Sequence, residues 1–211
     1  MGLSSNILWH QTTLDGLKGI LNEQGFFYSY SLESILSRES KNNLNVAFPM
    51  VSLCDLPFSE LNDYIKKYGG YLIGMKRTWG KSNGLAPVWY CDSESTILNA
   101  IIDRYNQIEV NIKNGKNFTI SREIFLYTLS HIKNYEGQLI AHDFNKYRFY
   151  DEREFRSVPR YKELKKLHPT IQPYLSEKDY QDYKRKHKNT LIKTLWVNIP
   201  KYTYKVEDST Y

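Results

Sequence analysis

Three stretches of the chain gather groups with chemical potential. The run Trp9-His10-Gln11-Thr12 sets an imidazole and a hydroxyl at the mouth of a predicted strand. A histidine there can meet a ligand, or it can simply bond backbone at the strand end. The run Tyr68-Gly69-Gly70-Tyr71-Leu72-Ile73-Gly74-Met75 sets glycines between tyrosines. Glycines allow close backbone approach and tyrosines stack on flat rings, although a helix stop before a core strand explains the same residues. The third stretch is Tyr150-Asp151-Glu152-Arg153-Glu154-Phe155-Arg156. If it is extended, Glu152, Glu154 and Arg156 share one face while Arg153 and Phe155 share the other. Two carboxylates side by side repel unless a cation answers them or one pKa rises, and Arg156 can answer. That pairing orients a carboxylate for chemistry; it equally describes a solvated ladder of ion pairs.

The elements that would position these groups follow from patterning. A strand is predicted over 6–10. Thr12 or Thr13 caps a helix carrying Leu14, Leu17, Ile20 and Leu21, with Gly25 after its end. An extended aromatic segment follows over 26–30, then a short helix on Leu32, Ile35 and Leu36. A strand over 45–53 contains Pro49, which suits an edge or a bulge. Pro57 opens another helix. Further strands are expected over 71–75, 87–91, 147–158 and 191–199, and helices over 94–111 and 121–135. Short strands broken by unequal helices indicate an α+β fold. The chain of 211 residues reads as one domain, with 161–189 as a basic helical insertion.

Composition narrows the chemistry. The net charge is +6 and the isoelectric point about 9.1, a balance that favours polyanionic partners. Part of it is local, in Lys165, Lys166, Lys178, Lys184, Arg185, Lys186 and Lys188. Those residues form either a solvated helix face or a nucleic-acid or partner contact. The 18 tyrosines suit cores and contact surfaces alike. Cys54 and Cys91 make no metal-ligand spacing and no disulfide framework, so no structural zinc is expected. No signal-peptide pattern and no membrane-length apolar run is present, and a cytoplasmic protein is expected. The glycines at 69 and 70 lack the lysine and hydroxyl of a phosphate loop; G-x-G-x-x-G, H-E-x-x-H and nucleophile-elbow patterns are absent.

In this order the motifs resemble those of the AbiGi-type abortive-infection family. The resemblance runs through Leu8-Trp9-His10-Gln11-Thr12, Pro49-Met50-Val51-Ser52-Leu53-Cys54-Asp55-Leu56-Pro57, residues 68–79, Pro87-Val88-Trp89-Tyr90 and residues 150–159. It implies phage resistance and an operon-encoded toxin–antitoxin partner, with either half of the pair open. A second resemblance is to ADP-ribosyltransferases of DarT-like type, which implies a split mixed or antiparallel β core flanked by helices. On that likeness the chain is expected to be an NAD-dependent toxin that modifies RNA or DNA. Glu154, Glu152 and His10 are the implied catalytic residues. His10, Thr12, Ser52, Tyr68 and Tyr71 would hold NAD, and Arg153 and Arg156 would hold the acceptor. Which of Ser52, Tyr68 and Tyr71 completes the triad stays open, as does the division of roles between the glutamates. Glutamate would stabilise the oxocarbenium-like charge as nicotinamide leaves. All of this requires His10 and the acidic pair to converge across one cleft. Two other readings stand beside it: a non-enzymatic antitoxin or phage-sensing subunit, and a metal-dependent nuclease built on Glu152, Glu154 and Asp151 or Asp55.

Overall fold

The computed structural model describes residues 6–37, 42–61, 65, 70–117, 119–139, 144–188 and 190–199. The chain opens with strand β1 (Ile7–Thr12), then helix α1 (Leu14–Glu23). Thr13, not Thr12, is the cap: its hydroxyl accepts from the Gly16 N–H at 3.2 Å. The left-handed residue that ends the helix is Gln24, one place before the glycine expected there.

Strand β2 (Gly25–Ser37) then runs without interruption into the segment expected as a short helix. Leu32, Ile35 and Leu36 do have helical spacing. Pairing decides otherwise, because every residue from Ser29 to Ser37 stands opposite a residue of β3 (Asn42–Cys54). Ile35 is consequently buried while its neighbour Leu36 faces out. Pro49 stands opposite Tyr30, whose N–H is turned away to the Thr190 carbonyl. The proline therefore takes no bond from the ladder, even inside a long central strand.

Beyond β3 come the 3₁₀ turn Phe58–Glu60, β4 (Tyr71–Lys76), α2 (Arg77–Ser82), β5 (Ala86–Pro87) and β6 (Trp89–Cys91). Two longer helices follow, α3 (Thr96–Lys113) and α4 (Thr119–Leu129). The second ends well short of residue 135; Ile132–Asn134 forms β7 parallel to β6, and β8 (Gly137–Leu139) pairs with β9 (Phe144–Tyr147). The predicted strand over 147–158 is broken. Phe149–Glu152 is a 3₁₀ turn, Arg153 is left-handed at φ 44°, and only β10 (Glu154–Ser157) is extended. Region 161–189 forms α5 (Tyr161–Leu167) and α6 (Glu177–His187), and between them β11 (Leu175–Ser176) joins the sheet against β3. Strand β12 (Leu191–Asn198) pairs with β2. The result is a mixed α+β fold whose eight-stranded antiparallel sheet curls about β3, with six α-helices among the described residues.

Alternation along β3 sorts the interior into two layers. Ala47, Val51 and Leu53 join Leu8, Phe26, Tyr28 and Tyr30 on one face. Val46, Phe48 and Met50 join Ile35, Leu98, Leu126 and Ile132 on the other, beneath α3 and α4. Among the described residues, no helix is long and apolar enough to cross a membrane.

Candidate functional site

Sheet register decides which candidate residues can meet. Trp9 stands opposite Cys54, and Cys54 stands opposite Glu154. Directly opposed residues share a face, so Trp9, Cys54 and Glu154 point one way and His10, one residue on, points the other. Side-chain contacts agree. The His10 ring packs edge-on against Phe26 at 4.9 Å, in the first layer, whereas Trp9 packs in the cluster of Cys54 and Leu56. Thr12 and Tyr71 stand opposite one another at the end of the β1–β4 ladder, on the His10 face. Arg156 stands opposite Ser52, on the Glu154 face. The expected convergence of His10 with the acidic pair in one cleft is therefore corrected: the sheet itself lies between them. Tyr68 lies outside the described residues.

Ser52 is the residue that reaches both sides. Its carbonyl accepts from His10 Nδ1 at 2.9 Å, which sets the tautomer with the proton on that nitrogen. Its hydroxyl bonds the Glu154 carboxylate. Burial lowers the His10 pKa, and the Ser52 carbonyl offsets part of that.

On the far face lies a buried charge network. Arg156 is completely buried and spends four N–H groups there. Nε donates to Glu154 Oε1 at 2.7 Å and Nη2 to Glu154 Oε2 at 2.9 Å, a two-pronged grip. Nη2 also donates to Glu33 Oε1 at 2.8 Å, and Nη1 to the Ser130 carbonyl at 2.8 Å. Lys133, from β7, bridges Glu152 at 2.8 Å and Glu154 at 3.2 Å. Glu152 does not reach this point as a strand neighbour of Glu154. The 3₁₀ turn and the left-handed Arg153 carry it there, where Tyr147 also bonds it. Glu33, Glu152 and Glu154 are 8%, 5% and 8% exposed, so water cannot screen them. Counted formally, three carboxylates face two cations.

The electrostatics follow from that company. Burial alone would raise the Glu154 pKa; the charges of Arg156 and then Lys133 overcome it and hold the carboxyl well below the usual range. Burial would lower the Lys133 pKa, but Glu154, Glu152 and Glu33 together push it well above normal. The Tyr90 hydroxyl accepts the Glu154 N–H at 2.8 Å, and burial followed by the Glu154 charge pushes its pKa up.

Sequence patterning missed Lys133, Glu33 and Tyr90. Lys133 was hidden in an expected helix. Glu33 carried a signal: in β2 it is the lone acid on the face opposite Phe26, Tyr28, Tyr30 and Leu32. Reading that segment as helical erased the alternation. The main-chain carbonyl of Arg153 accepts from the Asp55 N–H at 3.1 Å. Asp55 itself is paired with Arg77. Among the described residues, no group of three or more His, Cys, Asp or Glu side chains is placed to hold a metal ion.

A family profile described as "Putative abortive phage resistance protein AbiGi, antitoxin" matches residues 24–198, more than four-fifths of the chain. No curated protein and no solved structure matches it significantly. The antitoxin description overturns the expectation that this chain is the toxin of its pair, acting by ADP-ribosylation of RNA or DNA. The matched span holds β2 to β12 and all five members of the charge network, and on that extent the chain belongs to the AbiGi family of abortive phage resistance antitoxins.

Proposed function

We propose that this chain is the antitoxin of a phage-defence pair and neutralises its toxin by contact between folded surfaces. The observation that carries the reading is the match to the AbiGi antitoxin family over residues 24–198, and the closure of the charge network agrees with it. Both oxygens of Glu154 are gripped by Arg156, and Lys133 and Ser52 add further bonds. A carboxylate so engaged serves the fold, tying β10 to β7 and β2 through the core. Removing such a group from water is costly unless every lone pair is matched, and here the matches come from inside the protein. The curl of the antiparallel sheet about β3, with helices on its flank, supports an ADP-ribosyltransferase-like architecture used without its chemistry, because a fold does not dictate an activity.

Expression of the neighbouring gene with and without this chain tests the proposal. Growth arrest by the neighbour alone, relief by this chain, and co-elution of the two proteins are the expected results. Arrest caused by this chain alone, or arrest unrelieved when both are present, overturns it.

A further inference from the structure

A shallow cleft opens on the helical side of the molecule, between α4, α5 and the segment leading into β11. It encloses about 290 Å³ counting its open mouth. Phe48, Leu126 and Val158 form an apolar floor, and the rings of Tyr127, Tyr161 and Tyr174 form its walls. Pro159 and Pro173 also line it, so the backbone on two sides is held stiff before anything binds. Aromatic side chains around an apolar floor are the make-up of a binding hot spot. Large apolar groups are left in solvent on the same two helices: Ile124 of α4 and Leu167 of α5 are each 64% exposed.

Charge around the mouth selects the guest. Two of the ring faces that would attract a cation already hold one from this chain. Arg122 lies 5.0 Å from the Tyr174 ring centre and Lys165 4.9 Å from that of Tyr161. A partner lysine or arginine therefore meets filled ring faces; Arg122 is itself paired with Glu109, so the like charge it meets comes from the α5 side. On α5 and just before it, Arg160, Lys162, Lys165 and Lys166 outnumber the single acid Glu163, and the four cations are exposed. Glu123 is the one acid in the lining; the apolar floor of Phe48, Leu126 and Val158 favours an uncharged group, and the exposed cations of α5 favour carboxylates beside it.

We propose that this cleft is the socket for an acidic segment of the cognate toxin, an assignment that rests on the antitoxin reading. One apolar side chain of that segment seats on Leu126 and Val158, and flanking Asp or Glu residues lie over α5.

Calorimetric titration of the purified neighbouring-gene product into this chain tests it, with wild type beside Tyr174→Ala and beside Lys165→Glu with Lys166→Glu. The lysines are exposed, so the charge reversal leaves the fold intact, which circular dichroism checks. Each variant is expected to weaken binding at least about tenfold, the loss typical of truncating an anchor or reversing rim charge. Raising salt should weaken the wild type more than the charge-reversed protein. Full affinity in both variants overturns the cleft and leaves the antitoxin reading standing. No binding by the wild type overturns both. A labelled oligonucleotide that binds the wild type and is lost on charge reversal, with toxin binding unchanged, assigns this face to nucleic acid and overturns the socket.

Discussion

Replacing Arg156 by methionine should damage the protein more than any substitution on its surface. The guanidinium is fully buried and bonds Glu154 twice, Glu33 once and the Ser130 carbonyl once. Methionine fills similar space but leaves three buried carboxylates facing Lys133 alone. Removing one partner of a buried ion pair costs about 3–5 kcal/mol. For a chain of this size each kcal/mol lowers the melting temperature by roughly 2–4 °C, so a fall of about 6–20 °C is expected. Urea and thermal unfolding followed by circular dichroism measure it, and the urea midpoint should move with little change in slope. Adding Glu33→Gln and Glu154→Gln to Arg156→Met should restore part of the loss, because the orphaned charges go too. A fall of less than about 1 kcal/mol, or no recovery on neutralising the acids, would refute the claim that this network holds the sheet together.

Acid should expose the same network. Glu154 titrates below its unfolded counterpart, so its contribution is present above the ordinary value of 4.5 and is lost as pH falls through the folded value. Stability measured by urea midpoint should therefore drop below about pH 5, and Glu154→Gln should flatten that limb. Lys133 has the opposite sign: its contribution is present below the ordinary 10.5 and is lost as pH rises through the raised folded value. Gly74→Ala should cost about 1–3 kcal/mol through overpacking, since an added Cβ would lie 2.8 Å from Trp9 Cζ3 and 2.9 Å from Ile7 Cγ2; thermal unfolding reads it. Asn134→Ala removes a clamp on the end of β2, in which the amide bonds both the N–H and the carbonyl of Leu36. It should cost about 1–3 kcal/mol and speed hydrogen exchange at the Leu36 amide.

Local patterning found those parts of the fold that local physics governs. Leu14, Leu17, Ile20 and Leu21 announced α1, and the run around Gly74 announced β4. Where two patterns competed, pairing with a distant strand won. Leu32, Ile35 and Leu36 fit a helix until β3 is laid beside them. The acidic stretch was legible as a place of charge but not as a shape. Arg153 takes a left-handed conformation that nothing in its residue type announces, and this turns Glu152 out of the strand. Lys133 and Glu33, about a hundred residues apart in the chain, come to the same carboxylate and guanidinium through tertiary packing alone. Register also separated His10 from Glu154, because a shift of one residue along a strand exchanges the faces of a sheet.

The central claim is neutralisation by contact, and stoichiometry tests it most directly. Purified toxin is held at fixed concentration and this chain is added in steps, without NAD, while toxin activity and complex formation are followed together. The account predicts inhibition that ends at a fixed molar ratio, coincides with complex formation and does not deepen on longer incubation. Inhibition by a small fraction of an equivalent that grows with time and requires NAD would contradict it.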